Sequence, residues 1–150
     1  MEQLDCATIQ RSQNIFKFLQ KSYNESLGLL NFAHEYFSVR GKEDKLKMSK
    51  EDSLIYTLAM STITTQLTSV FSWLLLCKAV ESGEIKLEDL KSEDFRMAEF
   101  NLDLNDKSSC FAILNEPVSI LLKQSSSLYN RVKRMENSIQ QSLREVSVSQ

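Results

Sequence analysis

The sequence predicts an all-α fold, a three-helix bundle of long antiparallel helices with an extended arm between helices 2 and 3. Three observations carry this. Glycine and proline are scarce, three and one among 150 residues, so the chain has little punctuation from which to build turns. Apolar residues recur at alternating three- and four-residue spacings over three long stretches, the periodicity of a helix face. Residues 54–77, LIYTLAMSTITTQLTSVFSWLLLC, carry no charged side chain and predict a central core helix. A chain of this length forms one domain, 1–150, large enough for a real hydrophobic core.

The first helix is predicted over about 8–39. Its seam is Phe16, Leu19, Tyr23, Ser26, Leu30, Ala33 and Phe37, widened by Ile15 and Leu27. Arg40-Gly41 is the expected stop, because glycine takes the left-handed conformation just past a helix end most easily. GKEDKLKMSK then reads as a solvated linker of mixed charge.

Helix 2 is predicted over about 50–82, opened by Ser49-Lys50-Glu51-Asp52 as a capping box and stopped by Gly83. One apolar stripe is Tyr56, Met60, Ile63, Leu67, Val70, Leu74 and Cys77; a second is Thr64, Thr68, Phe71 and Leu75. A helix apolar on two faces is packed on both sides, as the middle member of a bundle is. The stretch is also long enough to span a bilayer. Gln66 and the run of serines and threonines at its centre argue against lipid, so no membrane insertion is expected.

The arm, about 84–114, holds no sustained helical period beyond a short helix at Leu87–Lys91. Phe95 and Met97 alternate, as do Phe100, Leu102 and Leu104, the pattern of an extended segment laid over the bundle or over a second protomer. Helix 3 is predicted over about 115–143, capped by Asn115 with Pro117 in the first turn. Its seam is Val118, Leu121, Ser125, Leu128, Val132, Met135 and Ile139.

The balance of 18 basic against 20 acidic residues gives no field favouring nucleic acid or an anionic membrane. Cys6, Cys77 and Cys110 are widely spaced without a C-x-x-C pair, and Cys77 reads as a small core hydrophobe. The N-terminal MEQLDCATIQ has no apolar signal region, and with free thiols it points to the cytoplasm. His34 is the one histidine, set at the edge of the first seam without a metal-ligating companion at helix spacing. No nucleophile is paired with a base. No cofactor and no catalysis are expected. Arg131, Lys133 and Arg134 form the densest basic cluster, which reads as a solvated face with charge suited to a helix's C-terminal half.

Ile63-Thr64-Thr65-Gln66-Leu67, Ser72-Trp73-Leu74-Leu75-Leu76 and Lys78-Ala79-Val80-Glu81-Ser82-Gly83-Glu84-Ile85 resemble the signature of the RcdA family, the alphaproteobacterial regulator of CtrA degradation, whose pattern runs roughly LTTRLMQ-ASWLL-RAV-GEI. A second match lies at Leu121-Leu122, Ser125, Leu128 and Arg131-Val132-Lys133-Arg134-Met135. Gln66 stands where the pattern has arginine, and the tail is shorter than many in the family.

The resemblance implies a three-helix bundle without catalytic residues. It also implies an adaptor for the ClpXP protease, partnered by ClpX, a single-domain response regulator and proteolysis substrates among cell-cycle regulators. A cytoplasmic location with recruitment to the cell pole goes with it. Thr64, Thr65, Leu67, Ser72, Trp73, Leu74 and Gly83 are then core and helix-stop positions. Arg131, Lys133 and Arg134, with Phe95, Met97 and Phe100 of the arm, are the candidate partner surface. The aromatic arm and wide apolar faces predict a homodimer. Two other readings stay open: a dimeric helical scaffold unrelated to proteolysis, and a membrane-associated helix protein.

Overall fold

The computed structural model describes residues 6–100 and 111–148; Cys110, Leu102 and Leu104 lie outside them, as do the side chains of Cys6 and Phe16. Three long helices make the bundle: α1 (Cys6–Lys47), α2 (Lys50–Glu81) and α3 (Glu116–Val148), with short 3-10 turns at Leu87–Lys91 and Glu93–Phe95. There is no strand among the described residues, and the all-α bundle expected from composition and periodicity is what forms.

α1 does not stop at Arg40-Gly41. It continues for two further turns to Lys47, because the residues read as a linker are mostly good helix formers and are held by contacts. Tyr36 Oη donates to Asp44 Oδ2 (2.8 Å), and Asn115 Nδ2 donates to both, at 2.7 and 3.0 Å. Gly41 is buried inside the helix. A Cβ there would stand 3.0 Å from Tyr56 Oη and 3.4 Å from Phe37 Cδ1, so glycine serves close approach of α1 to α2 and breaks nothing.

Only Met48 and Ser49 separate α1 from α2, which forces the two antiparallel. Ser49 Oγ accepts the Asp52 N–H at 3.1 Å, satisfying one of the orphan donors of the first turn. At the other end Gly83 takes φ +80°. The Gly83 N–H bonds to Val80 O (3.1 Å) and the Glu84 N–H to Ala79 O (2.9 Å), the paired bonds of a Schellman stop.

α3 begins at the same end of the bundle as α2 and runs parallel to it. Asn115 meets the C-terminal end of α1, Ser125 and Ser126 meet Gln66 midway, and Ile139 and Leu143 line one groove with Cys77 and Val80 at the far end. Only the α1–α2 and α1–α3 pairs are antiparallel. A 33-residue helix is about 50 Å long at 1.5 Å per residue. The arm must therefore climb that height before α3 can start, and its length follows from this topology.

The core lies along the inner faces. Tyr56, Ile63, Leu67, Val70 and Leu74 of α2 meet Val118, Leu121, Leu128 and Val132 of α3, all almost wholly buried. α1 contributes less: Ala33, Ser22 and Ser26 are buried, while Tyr23 stacks on Phe71 with ring centroids 5.2 Å apart. Gln66 is buried across the α2–α3 seam, its Oε1 accepting from Ser125 and Ser126 at 3.0 and 3.1 Å. The second stripe read on α2 is not packed within the chain. Thr64, Thr68 and Leu75 are exposed, and Phe71 is half-buried. α2 is long and apolar enough to cross a membrane by length and composition, and 39% of its apolar 18-residue stretch is buried in the bundle.

Candidate functional site

The arm is fastened to α3 by a ladder of side chains one or two turns apart on a single helix stripe. Tyr129, Lys133, Glu136 and Gln140 follow at alternating spacings of four and three, so their side chains stack along one face. Each engages arm backbone. Gln140 Nε2 donates to Leu90 O. Glu136 Oε1 accepts the Met97 N–H at 2.6 Å, and Lys133 Nζ donates to Met97 O at 3.0 Å. Tyr129 Oη donates to Ala98 O and accepts from the Phe100 N–H, while its ring meets the Phe100 ring edge-on at 5.7 Å.

Glu136 is the centre of this ladder, a carboxylate with no solvent exposure. Its Oε2 lies 2.7 Å from Lys133 Nζ, and its Oε1 is 4.0 Å from Arg96 Nε. Arg96 also donates to Asn137 Oδ1 at 3.2 Å. Buried charge is tolerated only when paired and hydrogen-bonded. Here one carboxylate and one ammonium hold both the N–H and the C=O of Met97, as a neighbouring strand would. Burial pushes the nearby Cys77 thiol up to about 12, with the charge of Glu136 adding to the effect.

The sequence-predicted partner residues divide accordingly. Lys133, Met97 and Phe100 come together, but inside the chain: Met97 is buried, Phe100 is half-buried on Tyr129, and Lys133 is committed to the ladder. Phe95 is half-buried. Arg131 is not the free charge it was read as. It donates to Glu25 Oε1 at 2.6 Å, tying α3 to α1, with both side chains 33% exposed. Arg134 alone of the set faces solvent.

Among the motif positions, Leu67, Trp73 and Leu74 are core and Gly83 is the helix stop. Thr64, Thr65 and Ser72 are exposed rather than core. Sequence reasoning missed Glu136, Tyr129 and Gln140. A signal was present, since Glu136 falls four residues after Val132 of the seam, where a carboxylate demands a partner. Among the described residues, no group of three or more His, Cys, Asp or Glu is placed to hold a metal ion, and His34 is exposed.

An apolar groove of about 480 Å³ opens at the end of the bundle where α2 stops. Its walls include Leu19, Val80, Leu90, Met135 and Ile139. It offers shape and hydrophobic surface but few groups able to do chemistry.

Comparison with known proteins agrees with this architecture. No curated protein matches the chain. RcdA from Caulobacter crescentus CB15, a crystal structure, superposes with a TM-score of 0.65 at 25% identity, over 81% of this chain and 89% of that one. Residues 10–149 match the profile of the family described as "Protein of unknown function (DUF1465)". A match across nearly the whole chain, carried on the same helical frame as RcdA, places this RcdA-like protein in the DUF1465 family.

Proposed function

We propose that the chain is a non-catalytic adaptor that binds partner proteins in the cytoplasm and assists delivery of cell-cycle regulators to the ClpXP protease. The observation that carries this reading is the likeness to RcdA over four-fifths of the chain at 25% identity. The site chemistry is compatible with it: the buried polar groups hold the chain's own arm, and none of them pairs a nucleophile with a base. An adaptor needs surfaces and rigidity. Holding a substrate near a protease raises its effective concentration and lowers the amount needed for half-maximal turnover, with no bond made or broken by the adaptor. The proposed partners are ClpX, a single-domain response regulator and the substrates, with polar recruitment following from those contacts. Arg134, exposed on α3, is the proposed point of partner contact.

The test is reconstituted proteolysis with purified ClpXP, the response regulator and a labelled cell-cycle substrate. Adding this chain is expected to lower the substrate's KM by at least about tenfold while leaving kcat unchanged. Arg134→Glu should lose much of that effect while remaining helical by circular dichroism. Turnover that is the same with and without the folded protein would overturn the adaptor reading.

A further inference from the structure

The apolar groove at the end of the bundle has a charged border. Inside, its lining is apolar apart from Glu81, Ser138 and Ser142. The two hydroxyls donate to Arg134 O and Ser138 O at 3.0 and 3.1 Å. Their hydrogens are satisfied within α3 and do not oppose drying of the groove. Leu87 stands at the lip, 50% exposed, and the volume of about 480 Å³ takes several large apolar side chains.

One bank is the turn over residues 81–94. It carries Glu81, Glu84, Glu88, Asp89, Glu93 and Asp94 against Lys86 and Lys91. Its net charge is −4, whereas the whole chain carries −2. All six carboxylates are exposed, and none of them is in an ion pair among the described residues. Lys91, by contrast, is committed to Ser147 Oγ. Glu84, Glu88 and Asp89 line a further cleft with Phe95, joined to the groove across Ile85 and Leu87. α2 and α3 both end on this side, at Glu81 and Val148, and helix C-termini add partial negative charge.

An apolar floor with a negative rim fits apolar anchors flanked by cations. A helix suits the floor better than an extended strand, because the lining offers almost no polar side chain to pair a strand's backbone. A helix satisfies its own N–H and C=O groups. Six carboxylates spread over the 14 residues 81–94 match a row of lysines or arginines rather than one small cation. The same rim repels an anionic bilayer and a second copy meeting groove to groove.

We propose that the groove and its acidic rim form a docking site for a basic amphipathic helix of a partner protein, apolar residues in the groove and cations over residues 81–94. The inference rests on the reading of the chain as a partner-binding adaptor. It gives that adaptor a second surface, separate from Arg134, whose side chain is not part of the lining.

The experiment titrates the purified full chain into a fluorescein-labelled synthetic helix of leucine and lysine, LKKLLKLLKKLLKL. Two controls accompany it: the same peptide with glutamate for lysine, and a shuffled peptide of the same composition without an apolar face. Fluorescence anisotropy should give micromolar binding to the basic amphipathic helix, and binding at least about tenfold weaker to both controls. Glu84→Lys combined with Glu88→Lys should raise the dissociation constant at least about tenfold and flatten its salt dependence. Leu87→Ser should raise it at least about threefold. All three positions are exposed, so circular dichroism should show unchanged helix. Methyl NMR of the complex should show shifts at Val80, Leu90 and Ile139.

No binding up to about 1 mM peptide, equal affinity for the glutamate peptide, or a rim variant that binds like wild type would overturn the proposal. So would methyl shifts confined to surfaces away from the groove, or tighter binding to phosphatidylglycerol vesicles than to the peptide. The titration contains no protease, so the two readings fail separately. A chain that binds the peptide as expected and leaves substrate turnover unchanged keeps the docking site and loses the delivery role.

Discussion

Replacing Glu136 by alanine tests whether the arm is held by the ladder or merely rests on the bundle. The substitution removes the acceptor of the Met97 N–H, now at 2.6 Å, and the counter-ion of Lys133, now at 2.7 Å. Breaking a buried ion pair by deleting one member costs about 3–5 kcal/mol, because the other charge is left uncompensated. Two features place this case at the lower end. The Lys133 side chain keeps 15% exposure and can recover some hydration, and it still bonds to Met97 O at 3.0 Å. A loss of about 3 kcal/mol is therefore expected, which for a chain of this size lowers Tm by roughly 6–12 °C.

The assay is urea denaturation of wild type, Lys133→Ala, Glu136→Ala and the double variant, followed by circular dichroism. The coupling energy from the cycle should be about 1.5–3 kcal/mol, as for contacting residues that share a network. Amide exchange adds a local readout: protection at Met97 and Phe100 should fall further in Glu136→Ala than protection in the α2 core. A Glu136→Ala protein within about 1 kcal/mol of wild type, or one whose arm amides stay as protected as before, would refute the clamp.

Two further outcomes follow from packing and from titration. At Gly41, alanine gains roughly 1 kcal/mol of helix propensity but brings a methyl to 3.0 Å from Tyr56 Oη, so the two effects nearly cancel. Gly41→Val adds bulk without that gain and should destabilise by about 1–3 kcal/mol in denaturant melts; a valine variant as stable as wild type would mean α1 and α2 do not approach there. The second outcome concerns alkaline pH. The Cys77 thiol is raised from 9.0 to about 12 by burial, and Tyr36 and Tyr56 are raised as well, again chiefly by burial. The unfolded chain thus releases these protons first. The stabilisation is complete below about pH 9 and is lost as pH rises towards 12. Tm should be flat through neutrality and fall above pH 9, with Cys77→Ala showing the shallower decline between 9 and 10; equal slopes would show that Cys77 titrates as if exposed.

Much of the fold was legible because α2 and α3 present their core as plain periodicity. Ile63, Leu67, Val70 and Leu74 fall on one stripe of α2, and Val118, Leu121, Leu128 and Val132 on one stripe of α3. The caps were legible for a similar reason, since Ser49 and Gly83 act within a few residues of themselves. Gly41 was not. Whether a glycine ends a helix or admits a neighbour depends on Tyr56, a residue on another helix. Thr64, Thr65 and Ser72 were legible as a motif but not as surface. For the two threonines the reason is plain, because a hydroxyl bonded back to its own helix suits either environment.

The parallel course of α2 and α3 accounts for the part of the site that sequence reasoning left out. Helices joined by a tight turn satisfy their backbones within themselves, as α1 and α2 do. A third helix parallel to the second requires a crossover along the full height of the bundle, and a non-helical segment carries N–H and C=O groups with no partner of their own. Buried against α3, those groups must be met by side chains. Tyr129, Lys133, Glu136 and Gln140 meet them, bonding to backbone atoms 29 to 50 residues away in sequence. Polar residues on an inward stripe of α3 are thus a consequence of topology. In a sequence alone Tyr129, Lys133 and Gln140 look like a solvated face, and only the place of Glu136, four residues after Val132 of the seam, signals a buried partner.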